Sequence, residues 1–275
     1  MPVNDTAAAV RSHPVLPLHD DNPTSRPAIV TWLIIAACVV AYFLWQPTPF
    51  SDDTDDVVFN LAHAAIPCEI VENRPLTVGE VRATFTLGEQ NACDVDQGQT
   101  QPFDAGKDPW LAVVTSMFLH GSLLHIGGNM LFLWIFGNNV EDRLGKVGFA
   151  AFYLVGGIVA TLAHVVVGTD STVPTVGASG AIAGVMGAYL VWFPDAKVLT
   201  LFFITIINVP ARWVLGFWFV LQFFTDPNEG VAWMAHVAGF AFGVVVALLF
   251  RGRGGERRPE PAGFGGYGGF GDRRY

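Results

Sequence analysis

Long apolar runs separated by short polar connections set the pattern of this chain. The first run, Ala28 to Trp45, would reach about 27 Å as a helix at about 1.5 Å per residue, close to the hydrocarbon thickness of a bilayer. Trp32, Tyr42 and Trp45 suit the two interfaces. Lacking a small-residue cleavage site after it, this run is expected to be a spanning signal anchor. Further runs cover about residues 111–136, 147–167, 177–193, 210–224 and 230–250. Pro194-Asp195 ends the fourth, and Pro210 is a good first residue for the fifth. Between them, residues 198–208 are apolar and β-branched and are expected to lie along the membrane interface. The pattern predicts an all-α polytopic membrane protein, a bundle of six transmembrane helices within residues 27–250.

The polar segments are equally distinct. Residues 1–26 lack periodicity and read as a disordered cytoplasmic tail. Residues 46–109 form a long outer loop rich in Asp and Glu, which needs local structure or an interfacial segment because structureless loops beyond about 15 residues are uncommon. Residues 251–275 are basic and Gly-rich, with no apolar face, and read as a second disordered cytoplasmic tail.

Composition supports the membrane reading. Only 14% of residues are charged and 52% are hydrophobic, against roughly 25% charged in soluble domains. The net charge of −9 excludes the basic signature of nucleic-acid binding. Charge placement matters more than its sum. With six spans, Arg143, Lys146, Lys197, Arg212 and Arg251 fall on one side, which places both termini in the cytoplasm and predicts a multi-pass protein of a prokaryotic plasma membrane. Of the three cysteines, Cys38 lies in an apolar run. Cys68 and Cys93 lie in the acidic loop and could pair if it faces an oxidising compartment.

Polar residues inside membrane-length runs are costly and point to function. Ser179 sits in Gly177-Ala-Ser179-Gly180. His120, His125 and Asn129 lie in the second run, with His125 and Asn129 on one helix face. His236 lies in the sixth, about 9 Å from its outer end. With six spans these residues meet at one depth. A serine, histidines and an asparagine can supply the nucleophile, general base and oxyanion donors of acyl transfer. Glycines line the fourth run, and Gly239 and Gly243 form a G-x-x-x-G in the sixth. Small residues let helix backbones approach closely in lipid, which would carry His236 to Ser179.

From about Trp110 to Phe250 the chain resembles the rhomboid family of intramembrane serine proteases. The resemblance rests on His120, His125 and Asn129, on Glu141-Asp-Arg143-Leu-Gly145, on the Gly177–Gly180 block and on His236-Val-Ala-Gly239, in the family's order. It implies a Ser179/His236 dyad that cleaves transmembrane segments entering laterally between spans two and five, with Asn129, His125 and the Ser179 backbone N–H binding the oxyanion and Gly177 supporting them. His120, Glu141, Arg143, Gly239 and Gly243 are expected to be structural, with Glu141 and Arg143 as a loop-bracing pair. One departure is Ala183, where some members carry a tyrosine that packs on the catalytic histidine; another group must then hold the imidazole, or the packing is looser. No metal or cofactor is implied. The expected partners are transmembrane protein substrates and the bilayer. A catalytically inactive rhomboid-like scaffold or quality-control factor is the alternative, but such relatives usually lack the serine or the histidine. A di-haem carrier would need paired histidines at two depths, whereas the strongest here cluster at one.

Overall fold

The structure, a computed structural model, describes residues 15–47, 53–95, 98–202, 204–225 and 232–251. It is mostly helical. The helix α6 (Leu123–Val167) is long and apolar enough to cross a membrane; shorter apolar helices occupy Ile29–Trp45, Pro109–Phe118, Ser179–Trp192, Ala211–Phe224 and Trp233–Leu249. Residues 1–14 and 252–275, expected from the sequence to lie in disordered tails, are outside the described residues.

The first apolar helix, α1 (Ile29–Val40), continues through a π-helical turn to Trp45. Its N-terminus has no side-chain cap of its own. Glu141 supplies one from another helix: its Oε1 accepts from Val30 N at 2.9 Å, and its Oε2 accepts from Thr31 N at 2.8 Å and Thr31 Oγ1 at 2.7 Å. This satisfies backbone donors that a helix start otherwise leaves unpaired.

The acidic loop folds into α2 (Asp53–His63), α3 (Pro67–Glu72), α4 (Val78–Leu87) and α5 (Pro109–Thr115). A capping box of Thr77 and Glu80 starts α4, and Gly88, at φ 81°, ends it. Leu61, Ile66, Cys68 and Leu76 form a small core of their own. Cys68 and Cys93 are disulfide-bonded, with Cα atoms 5.7 Å apart. The buried Lys107 pairs with Glu69 and donates to the carbonyls of Leu61 and Ala64.

At Gly145 (φ 73°, ψ 165°) α6 is not helical. A Cβ on Gly180 would lie 2.6 Å from Ala160, after the break, while Asn129, before it, shares a cavity with Ser179. Both halves therefore run beside α7 (Ser179–Trp192), and the chain doubles back at Gly145. The second apolar run starts later than its hydropathy suggests. After α5 and a 3₁₀ turn at Ser116–Phe118 the chain is extended at Leu119, and Ser122 caps α6 by accepting from His125 N at 3.1 Å. His120 thus precedes the helix that carries His125 and Asn129.

The last helices are α8 (Ala211–Leu221), extended by a 3₁₀ turn at Gln222–Phe224, and α9 (Trp233–Leu249). The closest packing in the bundle is α7 against α9. A Cβ on Gly239 or Gly243 would collide with the carbonyl oxygens of Gly180 or Gly184, and one on Gly187 with that of Phe240. Only hydrogen at these positions permits such an approach.

Two expectations need correction. The fold is not all-α: β1 (Val15–Asp20), β2 (Lys197–Phe202) and β3 (Thr205–Pro210) form an antiparallel sheet in that order. Residues 15–20, read from sequence as part of a disordered tail, pair with β2 instead. Their anchor is Asp20, buried at 4% exposure. Its Oδ2 accepts from Tyr189 Oη at 2.6 Å and Asn139 Nδ2 at 2.9 Å, contacts that no local pattern reveals.

Gly243→Val should lower stability by at least about 1–3 kcal/mol, because overpacking against backbone has little room to relax; a thermal melt in detergent measures it. A second prediction concerns Glu80. Burial opposes its charge, but Arg74 and the N–H groups of Thr77 and Asp94 outweigh burial and hold the carboxyl at about 2, below its ordinary 4.5. A folded value below the unfolded one gives stability that is present above about pH 4.5 and is lost as pH falls towards 2. Proteolysis of the loop should accelerate over that window, and Glu80→Gln should flatten the dependence.

Candidate active site

Ser179 is the first residue of α7, and His236 lies in the first turn of α9. The glycine crossing sets these two helix starts side by side. His236 Nε2 lies 2.8 Å from Ser179 Oγ. Both line a cavity of about 630 Å³, together with His125, Asn129, Phe132, Met186 and Trp218. At about 1.5 Å per residue, α7 is only about 21 Å long, shorter than a hydrocarbon core of about 30 Å. Ser179 opens onto this cavity.

The cavity lining also carries hydrogen-bond donors. The first N–H groups of α7 have no intrahelical partner, and the helix dipole makes this end favourable for negative charge. Asn129 is buried, and its Nδ2 has no hydrogen-bond partner among the described residues. His125 Nδ1 accepts from Gly121 N at 3.4 Å, which leaves the proton on Nε2. That nitrogen would be 2.8 Å from a Cβ on Gly177, whose φ is +129°. Gly177 is therefore required twice, for its backbone conformation and for the space His125 occupies. Its own N–H donates to Ser116 O at 2.9 Å.

His120, Glu141 and Arg143 do not line the cavity. The His120 ring stands edge-on to His125 at 5.1 Å. Its backbone is held by Gln46: Gln46 Nε2 donates to His120 O, and His120 N donates to Gln46 Oε1, both at 2.9 Å. Glu141 and Arg143 do not pair with each other. Glu141 caps α1, whereas Arg143 lies over Trp192 at 4.8 Å and donates to Arg251 O. The acidic loop grips the segment leading into Ser179: Cys68 N donates to Ser171 O, Thr172 N to Gln90 O and Thr175 N to Ala65 O.

Sequence reasoning missed two residues. Gln222 Oε1 lies 2.7 Å from His236 Nδ1, and the Trp218 ring lies 5.7 Å from the imidazole. Together they flank His236, the place left open by Ala183, which is buried in the α7–α9 contact near Gly239. A signal was present: Gln222 is a polar residue inside an apolar run, and the cost argument that selected Ser179 applies to it as well.

A family model for the Rhomboid domain matches residues 107–253, more than half of the 275 residues. The chain belongs to the rhomboid family. It is similar to presenilin-associated rhomboid-like protein A, mitochondrial, of Danio rerio, at 38% identity over 34% of this chain and 25% of that protein. It is similar to rhomboid protein 1, mitochondrial, of Saccharomyces cerevisiae, at 34% identity over 50% of this chain and 35% of that protein. It also matches rhomboid protease GluP of Bacillus subtilis at 40% identity over 30% of this chain and 15% of that protein. The chain thus spans about a quarter to a third of the two mitochondrial relatives. These relatives, with a further one in Bos taurus, are mitochondrial proteins of eukaryotes. They overturn the assignment to a prokaryotic plasma membrane with cytoplasmic termini. Charge asymmetry separates the two sides of a membrane but does not identify the membrane.

Gly177→Ala should displace His125 and strain the backbone, costing about 1–3 kcal/mol. A thermal melt checks the prediction; a melting temperature equal to wild type contradicts it.

Proposed function

We propose that this chain is an intramembrane serine endopeptidase of six spans that cleaves transmembrane segments of other membrane proteins. The observation that carries this reading is the 2.8 Å approach of His236 Nε2 to Ser179 Oγ inside a cavity that also holds the start of α7 and Asn129. The six spans are α1 with its π turn, the two halves of α6, α7, α8 and α9. The cavity is lined from the first half of α6 by Phe132 and from α8 by Trp218, in keeping with a substrate segment entering between those helices. Membership of the rhomboid family supports the reading, as does the similarity to a relative named a protease.

The geometry supports the following chemistry. His236 Nε2 takes the Ser179 proton as Oγ bonds to the scissile carbonyl carbon. The carbonyl oxygen becomes an oxyanion, met by the Ser179 N–H, Asn129 Nδ2 and His125 Nε2–H. His236 then protonates the departing amine as the C–N bond breaks, leaving an acyl-enzyme. Water then adds to the acyl carbon and gives a proton to His236; as the C–Oγ bond breaks, His236 returns that proton to Ser179 Oγ and the carboxylic acid leaves.

Ser179→Ala and His236→Ala should each abolish cleavage of a transmembrane reporter while the protein still melts cooperatively. Asn129→Ala should lose about 10²–10³ in kcat with a smaller change in KM, because an oxyanion donor acts in the transition state. If Asn129 only bridged helices, its variant would melt earlier with kcat unchanged in the folded fraction. A reporter that binds wild type but is never cut would favour the inactive-scaffold reading.

A further inference from the structure

We infer that Gln222 is a positioning residue that fixes the tautomer and orientation of His236, a role resting on the peptidase reading above. The geometry has three connected parts. Gln222 is buried, at 8% exposure, in the 3₁₀ turn that ends α8. Its Nε2 donates to the carbonyl of Trp218, one turn earlier, at 2.9 Å. This uses the donor end of the amide and leaves Oε1, a pure acceptor, facing His236 Nδ1 at 2.7 Å.

An acceptor at that distance requires Nδ1 to carry a proton. In a neutral imidazole Nε2 then holds the lone pair, and Nε2 is the nitrogen 2.8 Å from Ser179 Oγ. The chain Trp218 C=O, Gln222 amide, His236 imidazole, Ser179 hydroxyl therefore has one self-consistent set of donors and acceptors. It leaves the base ready to take the serine proton. In the opposite tautomer Nε2–H would point at the serine oxygen, and Nδ1 and Gln222 Oε1 would face each other as two acceptors. In a serine triad a carboxylate imposes the same tautomer and also stabilises the imidazolium by charge. An amide supplies the first effect and only a dipole for the second, and it avoids burying an anion inside the membrane.

The same arrangement supplies the support that Ala183 does not. The imidazole is held by Gln222 on its Nδ1 edge and by the neighbouring Trp218 ring. Both come from α8 and its terminal turn. The geometry of the base on α9 thus depends on where α8 sits, and α8 also lines the substrate cavity through Trp218.

The test combines one substitution series with one measurement on unaltered protein. Gln222→Met keeps the length and apolar stem but removes the acceptor. It should slow both kcat on a transmembrane reporter and fluorophosphonate labelling of Ser179 by about 10- to 100-fold, part of the 10²–10⁴ that general-base catalysis supplies. KM should stay within about twofold, on the expectation that the base acts after binding. Gln222→Glu restores an acceptor and should label faster than the methionine variant. A methionine variant that folds and labels at the wild-type rate would overturn the inference, as would a glutamate variant no faster than methionine. Should the methionine variant not fold, ring ¹⁵N shifts of His236 in wild-type protein decide. They are assigned by their loss in His236→Ala. A protonated Nδ1 with an unprotonated Nε2 at neutral pH supports the inference, and the opposite tautomer overturns it. Wild-type protein that never labels at Ser179 defeats the peptidase reading instead, and the ¹⁵N measurement still reports on the hydrogen bond separately.

Discussion

The site depends on one steric fact: α7 and α9 cross with their backbones in contact. Gly180, Gly184 and Gly187 on one helix face Gly239, Phe240 and Gly243 on the other, and any side chain at Gly239 or Gly243 would strike a carbonyl oxygen. In lipid there is no hydrophobic gain from bringing two apolar helices together, so association rests on this close packing. The crossing brings the starts of both helices to one place. Ser179 opens α7 and His236 lies in the first turn of α9, so the same contact that packs the helices sets the Ser179–His236 approach.

Around that contact the other elements act on single atoms. The first half of α6 brings Asn129 and His125 to the serine, and Gly177 leaves room for the imidazole of His125. The acidic loop, closed by the Cys68–Cys93 disulfide, hydrogen-bonds the segment that leads into Ser179. At the far end, Asp20 ties β1 to Tyr189 of α7 and to Asn139 of α6. Arg143 lies against Trp192, where α7 ends. The helix α7 is thus held at both ends, while Ser179 faces a cavity.

Much of this was legible in the sequence because the bilayer limits what apolar runs can do. Run lengths located the helices, and the cost of polar groups in lipid drew attention to Ser179, His125, Asn129 and His236. The glycine spacing indicated which helices must touch. What remained hidden depends on tertiary contacts between distant residues. Hydropathy does not distinguish α5 and its 3₁₀ turn from the start of α6, so it does not separate His120 from the helix that carries His125 and Asn129. Residues 15–20 carry little pattern of their own and form a strand where β2 offers an edge and Tyr189 and Asn139 each bind Asp20. Gln222 escaped notice although its burial in an apolar run was the same kind of signal as that of the serine.

The central claim is that His236 activates Ser179 as a nucleophile within the folded membrane protein. Fluorophosphonate treatment followed by peptide mass mapping tests it most directly, comparing wild type with His236→Ala. The account predicts one covalent adduct, on Ser179, formed by wild type and reduced to background in the histidine variant. An adduct on another residue, or Ser179 labelling at the wild-type rate without His236, would contradict it.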